Sequence, residues 1–258
     1  MRRREFMKTM AATGAIIAAG ASAFGAEDSS DGTSEIPMRE MGKTGVKISC
    51  MALGGFHLGT PPDPNTTNDI VARAIDAGVN FFDNAWEYHE GESEVRLGQA
   101  LKGKRDKVIL MTKVCTHGRG KDVAMRMLEE SLARLQTDYL DVWQIHEVIY
   151  ENDPDLIFAP GGVIEALDLA KKQGKVRFVG FTGHKDPSIH LRMLRQGYHF
   201  DTVQMPLNCF DATFRSFEQQ VLTEAAKQGI AVFGMKSLGG SGEMVTSGAI
   251  LPEEGLRY

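Results

Sequence analysis

The sequence predicts an α/β fold in which short buried strands and amphipathic helices alternate along the chain. Two patterns support this prediction: short apolar runs recur between helical segments, and glycine follows several helical segments, where helices commonly end. Strands that alternate with helices imply parallel βαβ units. With 258 residues, of which 42% are hydrophobic and 24% charged, the chain is large enough for one sizeable core.

These patterns predict seven strands and six helices. The strands are Cys50–Leu53, Val79–Asp83, Val108–Lys113, Leu140–His146, Val176–Phe181, Thr202–Met205 and Ile230–Met235. The helices are Thr67–Ala77, Ser93–Leu101, Val123–Leu135, Val163–Gln173, Pro187–Gln196 and Phe217–Gln228. Ahead of the first strand, alternation on both sides of Gly42–Gly45 predicts a small hairpin.

The number of predicted strands is one short of the eight in a (β/α)8 TIM barrel. A closed barrel of this type needs eight strands, and seven strands would leave two unpaired edges. We expect a barrel that is truncated before its eighth strand, because the chain stops at Tyr258 in what resembles the opening of a further helix, Pro252–Glu254. The alternative is an open barrel, or one that a partner completes.

The first 26 residues have the features of an export signal. A basic segment, Arg2–Lys8, precedes a mildly apolar run, Met10–Ala26, that is rich in Ala and Gly. The pattern Arg3-Arg4-x-Phe6-x-Lys8 resembles a twin-arginine (Tat) signal, although Arg2 stands where Ser or Thr is usual. The alternative is a membrane anchor that stays attached, but the run is shorter than the roughly 20 apolar residues that a span needs.

Three regions are therefore predicted: a Tat-type signal peptide at 1–26, a flexible polar linker at 27–37 and the barrel at 38–258. Cleavage after Ala26 removes four basic residues and one acidic residue, so the formal charge changes from −5 to −8. An acidic mature chain does not favour a nucleic acid partner. We expect a periplasmic or secreted protein that uses the Tat export machinery and has no stable membrane insertion after cleavage.

Residues that can transfer or orient protons follow three of the predicted strands. Asp83 ends the second strand, Tyr88 lies in the polar loop after it, Lys113 ends the third strand and His146 ends the fourth. Active sites of β/α barrels lie at the carboxyl ends of the strands, so these side chains are expected to converge. A phenol has an unperturbed pKa of about 10, and it becomes a useful general acid only if a cation lowers this value.

These four residues, in this order after three separate strands, resemble the catalytic tetrad of the aldo-keto reductases. The resemblance extends from about Met38 to Tyr258. It implies an oxidoreductase that transfers a hydride between NADP(H) and an aldehyde or ketone. In that reaction Tyr88 is the general acid, Lys113 is paired with Asp83 and lowers the pKa of the phenol, and His146 orients the carbonyl.

The resemblance also implies where the cofactor binds. No G-x-G-x-x-G follows the first strand, so a Rossmann site is not predicted, and the nicotinamide nucleotide is expected across the rim of the barrel. The implied cofactor-binding residues are Gly54, Gly55, Thr182, Gly183, Gln204, Met235, Lys236, Ser237, Leu238 and Gly239. Among these, Thr182 and Gln204 are expected to hold the carboxamide.

Two cofactor positions depart from the pattern of the family. Gly183 stands where the family commonly has an Asn that holds the carboxamide, and His184 can compensate. Met235 stands near the place of an aromatic residue that stacks on the nicotinamide, and a thioether can also pack on a ring face. The choice of NADP(H) over NAD(H) rests on the family alone, because its ribose-phosphate pocket follows the eighth strand.

Phe56 and Trp86, with the loop 147–162, are predicted to line a partly apolar substrate pocket. Two alternatives to a reductase remain. One is a non-catalytic sensor or subunit that binds a nicotinamide nucleotide on the same barrel, which the changes at Gly183 and Met235 favour slightly. The other is a lyase or isomerase that uses Lys113 as a base.

No metal site is predicted, and no catalytic role is assigned to the remaining Cys and His residues. Without a C-x-x-C motif, neither an iron–sulfur cluster nor a zinc site is expected, and Lys113 disfavours a cation between Asp83 and His146. The cysteines are interpreted as buried structural thiols: Cys50, Cys115 and Cys209. The histidines without a role are His57, His89, His117, His190 and His199.

Overall fold

A sheet of seven parallel strands forms the centre of the computed structural model, which describes residues 36–116, 118–240 and 242–258. Two short strands, β1 (Met38–Glu40) and β2 (Lys47–Ser49), precede this sheet. The sheet strands are β3 (Ala52–Gly54), β4 (Phe81–Asp83), β5 (Ile109–Val114), β6 (Leu140–Ile145), β7 (Val176–Thr182), β8 (Thr202–Pro206) and β9 (Ala231–Met235). The predicted signal at 1–26 and most of the predicted linker at 27–37 lie outside the described residues.

Helices connect the strands, as the alternating pattern predicts. They are α1 (Pro64–Asp76), α2 (Glu92–Ala100), α3 (Lys121–Leu135), α4 (Asp153–Phe158), α5 (Val163–Lys172), α6 (Pro187–Leu194), α7 (Thr223–Gln228), α8 (Glu243–Thr246) and α9 (Pro252–Leu256). The predicted helix at Phe217–Gln228 begins as a π-helix, Glu218–Leu222, before it continues as α7. Within the part of the chain that the structure describes, no helix has the length and hydrophobicity to cross a membrane.

Each sheet strand pairs in parallel with its neighbour in the sequence, in the order β3 to β9. The pairing aligns the strand ends, because Gly54 is opposite Asp83, and Lys113 is opposite Gln144. The α/β fold class and its parallel sheet are thereby confirmed. Among the described residues, β3 and β9 each pair on one side only, and they are the edges of the sheet.

The sheet curls so that strands far apart in its order face each other across a lumen. Three strands separate β4 from β8, yet Gln204 Nε2 on β8 donates a hydrogen bond of 2.9 Å to Asp83 Oδ2 on β4. The rings of Phe81 on β4 and Phe233 on β9 lie 4.7 Å apart. A flat sheet would hold these pairs far apart, because neighbouring strands are already about 4.8 Å apart.

Side chains alternate between this lumen and the helix layer. Trp143 on β6 is completely buried in the core between the sheet and the helices, whereas its neighbour Gln144 faces the lumen and donates to Thr202 Oγ1 at 2.9 Å. This alternation is the one expected for a strand in a barrel wall. Lys113 is directly opposite Gln144 in the register, so it also faces the lumen.

The predicted hairpin is confirmed, and it closes the end of the barrel where the strands begin. The strands β1 and β2 are antiparallel. Met41, directly after β1, and Ile48 on β2 pack in a small core with Phe81 and Ala231. The amide of Lys43 in the hairpin turn donates to the carbonyl of Gly229 at 3.1 Å. A slot of about 490 Å³ lies between the hairpin and the strands β3 and β9, far from the strand ends that carry the predicted site.

His190 on α6 is packed against the outer face of the sheet. Its ring centre lies 5.0 Å from that of Phe181 on β7 and 5.0 Å from that of Phe217. Burial lowers the pKa of this imidazole to about 4, because the charged form cannot be solvated there. Gly183 makes this packing possible, since a Cβ at position 183 would lie 2.9 Å from His190 Cε1 and 2.3 Å from the carbonyl oxygen of Val148.

The free energy of unfolding should therefore decrease as the pH is lowered, and His190 should be responsible for part of this decrease. The unfolded chain takes up a proton at this residue below pH 6.5, but the folded chain does so only near pH 4, so each pH unit between these values costs up to about 1.4 kcal/mol. Replacement His190→Leu should remove this loss. Urea unfolding of wild type and variant at pH 7 and pH 5 tests it, with the exposed His199→Leu as a control. Equal acid destabilisation in all three proteins would contradict the expectation.

Replacement Gly183→Ala should destabilise the protein by about 1–3 kcal/mol, because its methyl group would collide with the Val148 carbonyl oxygen. Thermal unfolding measures the loss. The matched control is Gly54→Ala, since a Cβ at position 54 meets no atom within 4 Å. If both variants melt at the same temperature, the close approach at Gly183 is not a real constraint.

Candidate active site

Asp83 and Lys113 form a buried ion pair at neighbouring strand ends. Lys113 is only 2% exposed, and its ammonium contacts Asp83 Oδ1 and donates to the carbonyl oxygen of Asn84 at 2.8 Å. Burial alone lowers the pKa of Lys113, but the charges of Asp83 and Tyr88 outweigh burial and raise it above its ordinary value. Lys113 is therefore a cation at neutral pH, and it is held in one position by two acceptors.

Tyr88 lies beside this pair, in a turn that follows β4. The ammonium nitrogen of Lys113 is 5.2 Å from the centre of the Tyr88 ring, and the ring of Phe56 packs edge-on at 5.2 Å. Burial raises the pKa of the Tyr88 phenol, while the charge of Lys113 acts in the opposite direction. Lys113 lowers the pKa of the phenol as expected, but desolvation of the phenolate and the charges of Asp83 and Glu87 outweigh the cation, so the net pKa lies above its ordinary value.

The backbone directly after the phenol turns through three left-handed residues. The φ angles are 50° at His89, 58° at Glu90 and 92° at Gly91. For His89 and Glu90 this conformation costs roughly 1–2 kcal/mol each. A hydrogen bond between His89 Nε2 and the carbonyl oxygen of Phe56, 2.7 Å apart, stabilises the turn. The strained turn thus fixes the loop that carries Tyr88.

A buried polar network supports the same loop from behind. Glu94 is fully buried, and its carboxyl group accepts from Thr112 Oγ1 at 2.6 Å and from Arg134 Nη1 at 3.3 Å. Burial raises the pKa of Glu94. Arg134 Nη1 also donates to the carbonyl oxygen of Trp86 at 2.9 Å. Since Thr112 precedes Lys113 on β5, the network connects the strand of the lysine to the loop of the phenol.

Trp86 faces the helices and not the cleft. Its Nε1–H donates to Glu130 Oε2 on α3 at 2.8 Å, and the guanidinium of Arg134 lies 5.1 Å from its ring centre. An indole N–H needs an acceptor when it is half-buried, and helix α3 supplies one. This placement corrects the expectation that Trp86 lines the substrate pocket.

His146 follows β6 directly, and its ring reaches the phenol. The His146 amide donates to the carbonyl oxygen of Val114 at 2.8 Å, and the imidazole is 5.9 Å from the Tyr88 ring. His146 Nδ1 is in contact with Glu87 Oε1. Burial alone raises the pKa of Glu87, but its contact with His146 outweighs burial, so the net pKa is lowered. The Nδ1 side of the ring is thus occupied by a carboxylate.

All four residues of the predicted tetrad open onto one cleft of about 690 Å³ at the carboxyl ends of the strands. The cleft is lined by Phe56, His57, Asp83, Glu87, Tyr88, Lys113, His146, Glu147, Thr182, Gly183, His184, Gln204, Met235, Lys236 and Gly240. The structure therefore brings together residues on, or directly after, six strands, β4 to β9. Phe56 is 50% exposed here and supplies an apolar wall.

Five of the ten predicted cofactor residues line this cleft: Thr182, Gly183, Gln204, Met235 and Lys236. The buried Oε1 atom of Gln204 has no hydrogen-bond partner among the described residues, whereas its Nε2 is bonded to Asp83. An unpaired buried acceptor next to an open cleft fits an amide N–H donor such as a carboxamide. Gly183 cannot carry a side chain, and His184 lines the cleft beside it, with its pKa lowered by burial and by Lys236.

The other five predicted cofactor residues do not line the cleft. Gly55 has a structural role, because its amide donates to the Asp83 carbonyl oxygen at 2.5 Å and a Cβ there would lie 2.6 Å from that oxygen. Gly54 ends β3 ahead of it. The residues Ser237, Leu238 and Gly239 form the loop that follows β9, beyond the cleft wall.

The sequence interpretation missed several residues at the site. Glu87 directly precedes Tyr88, and this adjacency was the available signal. Glu147, in the loop that was predicted to line the pocket, does line the cleft. His57, to which no role was assigned, also lines the cleft. The cysteines are only partly as predicted, because Cys115 is buried with its pKa raised to about 12 by burial, whereas Cys50 is exposed. His117 lies outside the described residues.

Comparison with known proteins gives a consistent result. The model of the aldo/keto reductase family matches residues 50–247. The chain is 34% identical over 159 residues to L-galactose dehydrogenase of Arabidopsis thaliana, with 58% of the chain and 49% of that protein covered. It is 30% identical over 229 residues to 6-dehydroglucose reductase of Novosphingobium aromaticivorans, with 80% of the chain and 72% of that protein covered. The chain thus spans about half the length of the first relative.

A solved structure agrees with these sequence matches. An aldo/keto reductase from Klebsiella pneumoniae, in complex with NADP and acetate, superposes with a TM-score of 0.63 at 28% identity, covering 75% of this chain and 65% of the other. The family match covers more than half of the chain. This chain therefore belongs to the aldo/keto reductase family.

Proposed function

We propose that this chain transfers a hydride between NADP(H) and the carbonyl carbon of an aldehyde or ketone. The observation that carries the proposal is the convergence of Asp83, Tyr88, Lys113 and His146 on one cleft. Membership of the aldo/keto reductase family supports the same class of reaction. Two relatives, one named a dehydrogenase and one a reductase, add further support.

In this proposal each residue of the cleft has a separate role in the reaction. When bound, the reduced nicotinamide supplies the hydride, and negative charge develops on the carbonyl oxygen. Tyr88 gives its proton to that oxygen, and its raised pKa keeps the phenol protonated at neutral pH. Lys113 stabilises the phenolate that remains after the transfer, because its fixed positive charge lies next to the ring.

His146 orients the carbonyl oxygen from the neighbouring strand end. Its Nδ1 atom lies against the Glu87 carboxylate. Nε2 is then the ring nitrogen that is left for the substrate oxygen. Proton donor and orienting group thus approach the same oxygen from Tyr88 and His146, whose rings are 5.9 Å apart.

Gln204 and Thr182 hold the carboxamide of the nicotinamide in this proposal. The free Oε1 atom of Gln204 is the acceptor for the amide, and Thr182 is buried in the same wall. Lys236 faces the cleft and would offer its charge to the pyrophosphate, with the amides of Ser237 and Leu238 after it just outside the cleft. The Gly239 amide is already bonded to the Lys236 carbonyl oxygen. The Klebsiella pneumoniae relative that was solved with NADP supports the choice of this nucleotide.

The chain is proposed to act in the periplasm or outside the cell after export by the Tat pathway. The support is the pattern Arg3-Arg4-x-Phe6-x-Lys8, followed by an Ala- and Gly-rich run to Ala26. In this proposal 1–26 is a cleaved signal, 27–37 a flexible linker and 38–258 the barrel. Export in the folded state would let the cofactor bind before the protein leaves the cytoplasm.

Replacement Tyr88→Phe should lower the rate of aldehyde reduction by at least about 100-fold, because the proton donor is lost. The reaction is followed by the disappearance of NADPH absorbance with a panel of aldehydes and ketones. Nucleotide binding, measured by fluorescence, should be preserved. The matched control is Tyr139→Phe, since Tyr139 stacks on Arg105 at the opposite end of the barrel.

Wild-type protein that binds NADPH without turnover of any carbonyl compound would contradict the reductase and support the nucleotide-binding sensor. Carbonyl chemistry without any nicotinamide would instead support the lyase or isomerase that uses Lys113 as a base. If Tyr88→Phe kept full activity, the proposal of hydride transfer would still stand, but Tyr88 would not be the proton donor.

Replacement of Arg3 and Arg4 together by Lys should retain the protein in the cytoplasm with its signal uncleaved, because the Tat pathway reads the arginine pair. Cell fractionation and the size of the protein in each fraction measure the effect. Arg2→Lys is the control, since it lies outside the pair. Unchanged export of the double variant would exclude the Tat route.

A further inference from the structure

We propose that Arg119 and Asp153 act as a positioning pair that fixes His146 at the edge of the cleft. Neither residue lines the cleft, so neither touches the reacting atoms. The inference rests on the proposed function, in which His146 orients the carbonyl oxygen. It adds two residues, on loops after different strands, whose contacts determine where the imidazole is held.

The guanidinium of Arg119 makes contacts on both of its sides. Its Nε and Nη2 atoms donate to the two carboxylate oxygens of Asp153 at 2.9 and 3.0 Å. Its Nη1 atom donates to the carbonyl oxygen of His146 at 2.7 Å, and Nη2 also donates to the carbonyl oxygen of Glu147. The planar fork of an arginine can satisfy all these acceptors at once, which an ammonium group cannot do.

Asp153 extends the same connection along the loop after β6. Its Oδ2 atom accepts from the amides of Ile149 and Tyr150, both at 2.8 Å. Burial alone raises the pKa of Asp153, but the hydrogen bonds from Arg119 and from these amides lower it overall, so the carboxylate is charged at neutral pH. The Asp153 carboxylate thereby holds the backbone of the loop that starts at His146.

The hydrogen bonds of the pair stabilise a backbone conformation that is otherwise unfavourable for residues other than glycine. Glu147 has a φ of 50° and Arg119 a φ of 57°, both in the left-handed region. The left-handed turn at Glu147 directs the two consecutive carbonyl oxygens of His146 and Glu147 toward one guanidinium. With the His146 amide bonded to the Val114 carbonyl oxygen, the main chain of His146 is fixed on both sides.

Stability alone does not account for a buried ion pair at this place. Replacing a buried ion pair by apolar residues is often neutral or stabilising, because both charges lose their hydration. Arg119 and Asp153 are each about 95% buried. The pair instead fixes the carbonyl oxygens of His146 and Glu147, and we infer that its role is to position His146 at the cleft.

Strand β6 supplies an internal control at its other end. Arg105 Nη2 donates to Asp141 Oδ2 at 2.8 Å and to the carbonyl oxygen of Tyr139 at 3.1 Å. Asp141 is also buried and accepts from the amide of Leu110 at 2.9 Å. Both are Arg–Asp pairs that bond the backbone at one end of β6, although Asp141 also pairs with Arg177. Only the Arg119 pair contacts the residue that faces the cleft.

The test compares Arg119→Lys with Arg105→Lys, since both variants keep the charge and lose the fork. In Arg119→Lys, kcat for carbonyl reduction should fall by about 10- to 100-fold while the Kd for NADPH is unchanged, because a small displacement of an orienting group slows the chemical step. The NMR signals of the His146 ring, assigned with His146→Asn, should shift. In Arg105→Lys, unfolding stability should fall, but kcat and the His146 signals should not change.

The outcomes separate the two proposals. If Arg119→Lys changes neither kcat nor the His146 ring signals, the pair is structural only and the inference is overturned. If wild-type protein reduces no carbonyl compound, the proposed function fails, and the His146 ring signals still decide whether the pair positions the imidazole. Should Arg119→Lys not fold, Asp153→Asn replaces it, because this change keeps the shape and one acceptor oxygen.

Discussion

The site depends on the burial of one ammonium group, that of Lys113. A cation with 2% exposure is tolerated only where acceptors replace its water, and here Asp83 and the Asn84 carbonyl oxygen do so. Both acceptors come from the neighbouring strand end, so the parallel register of β4 and β5 is a condition for the pair. Gln204 then bonds the second carboxylate oxygen across the lumen, which makes the curl of the sheet a further condition.

Around this pair, the loops that carry Tyr88 and His146 are rigid for the same physical reason. Each has residues in the left-handed region, His89 and Glu90 after the phenol and Glu147 after the imidazole. Each is also bonded through a backbone carbonyl oxygen to a guanidinium, that of the half-buried Arg134 or of the buried Arg119. The strain of the backbone is offset by hydrogen bonds that leave little freedom to the two functional side chains.

The fold and the tetrad could be predicted from the sequence because local patterns determine them. Apolar runs marked the strands to within a few residues, and Asp83, Lys113 and His146 lie at or directly after strand ends. Trp86 could not be placed, because its partner Glu130 lies 44 residues away on a helix. The raised pKa of Tyr88 depends on tertiary burial, which no local pattern reports. Arg119, between two glycines, resembled an ordinary solvated loop residue.

The tight contact between Gly183 and the Val148 carbonyl oxygen limits how this chain could change during evolution. A larger side chain at position 183 would require the segment after β6 to retreat, yet that segment begins at His146 and is bonded to Arg119. A side chain at position 183 that contacted the nucleotide would therefore displace His146, which faces the carbonyl substrate. Variation is freer at His184 and Met235, whose side chains face the open space of the cleft.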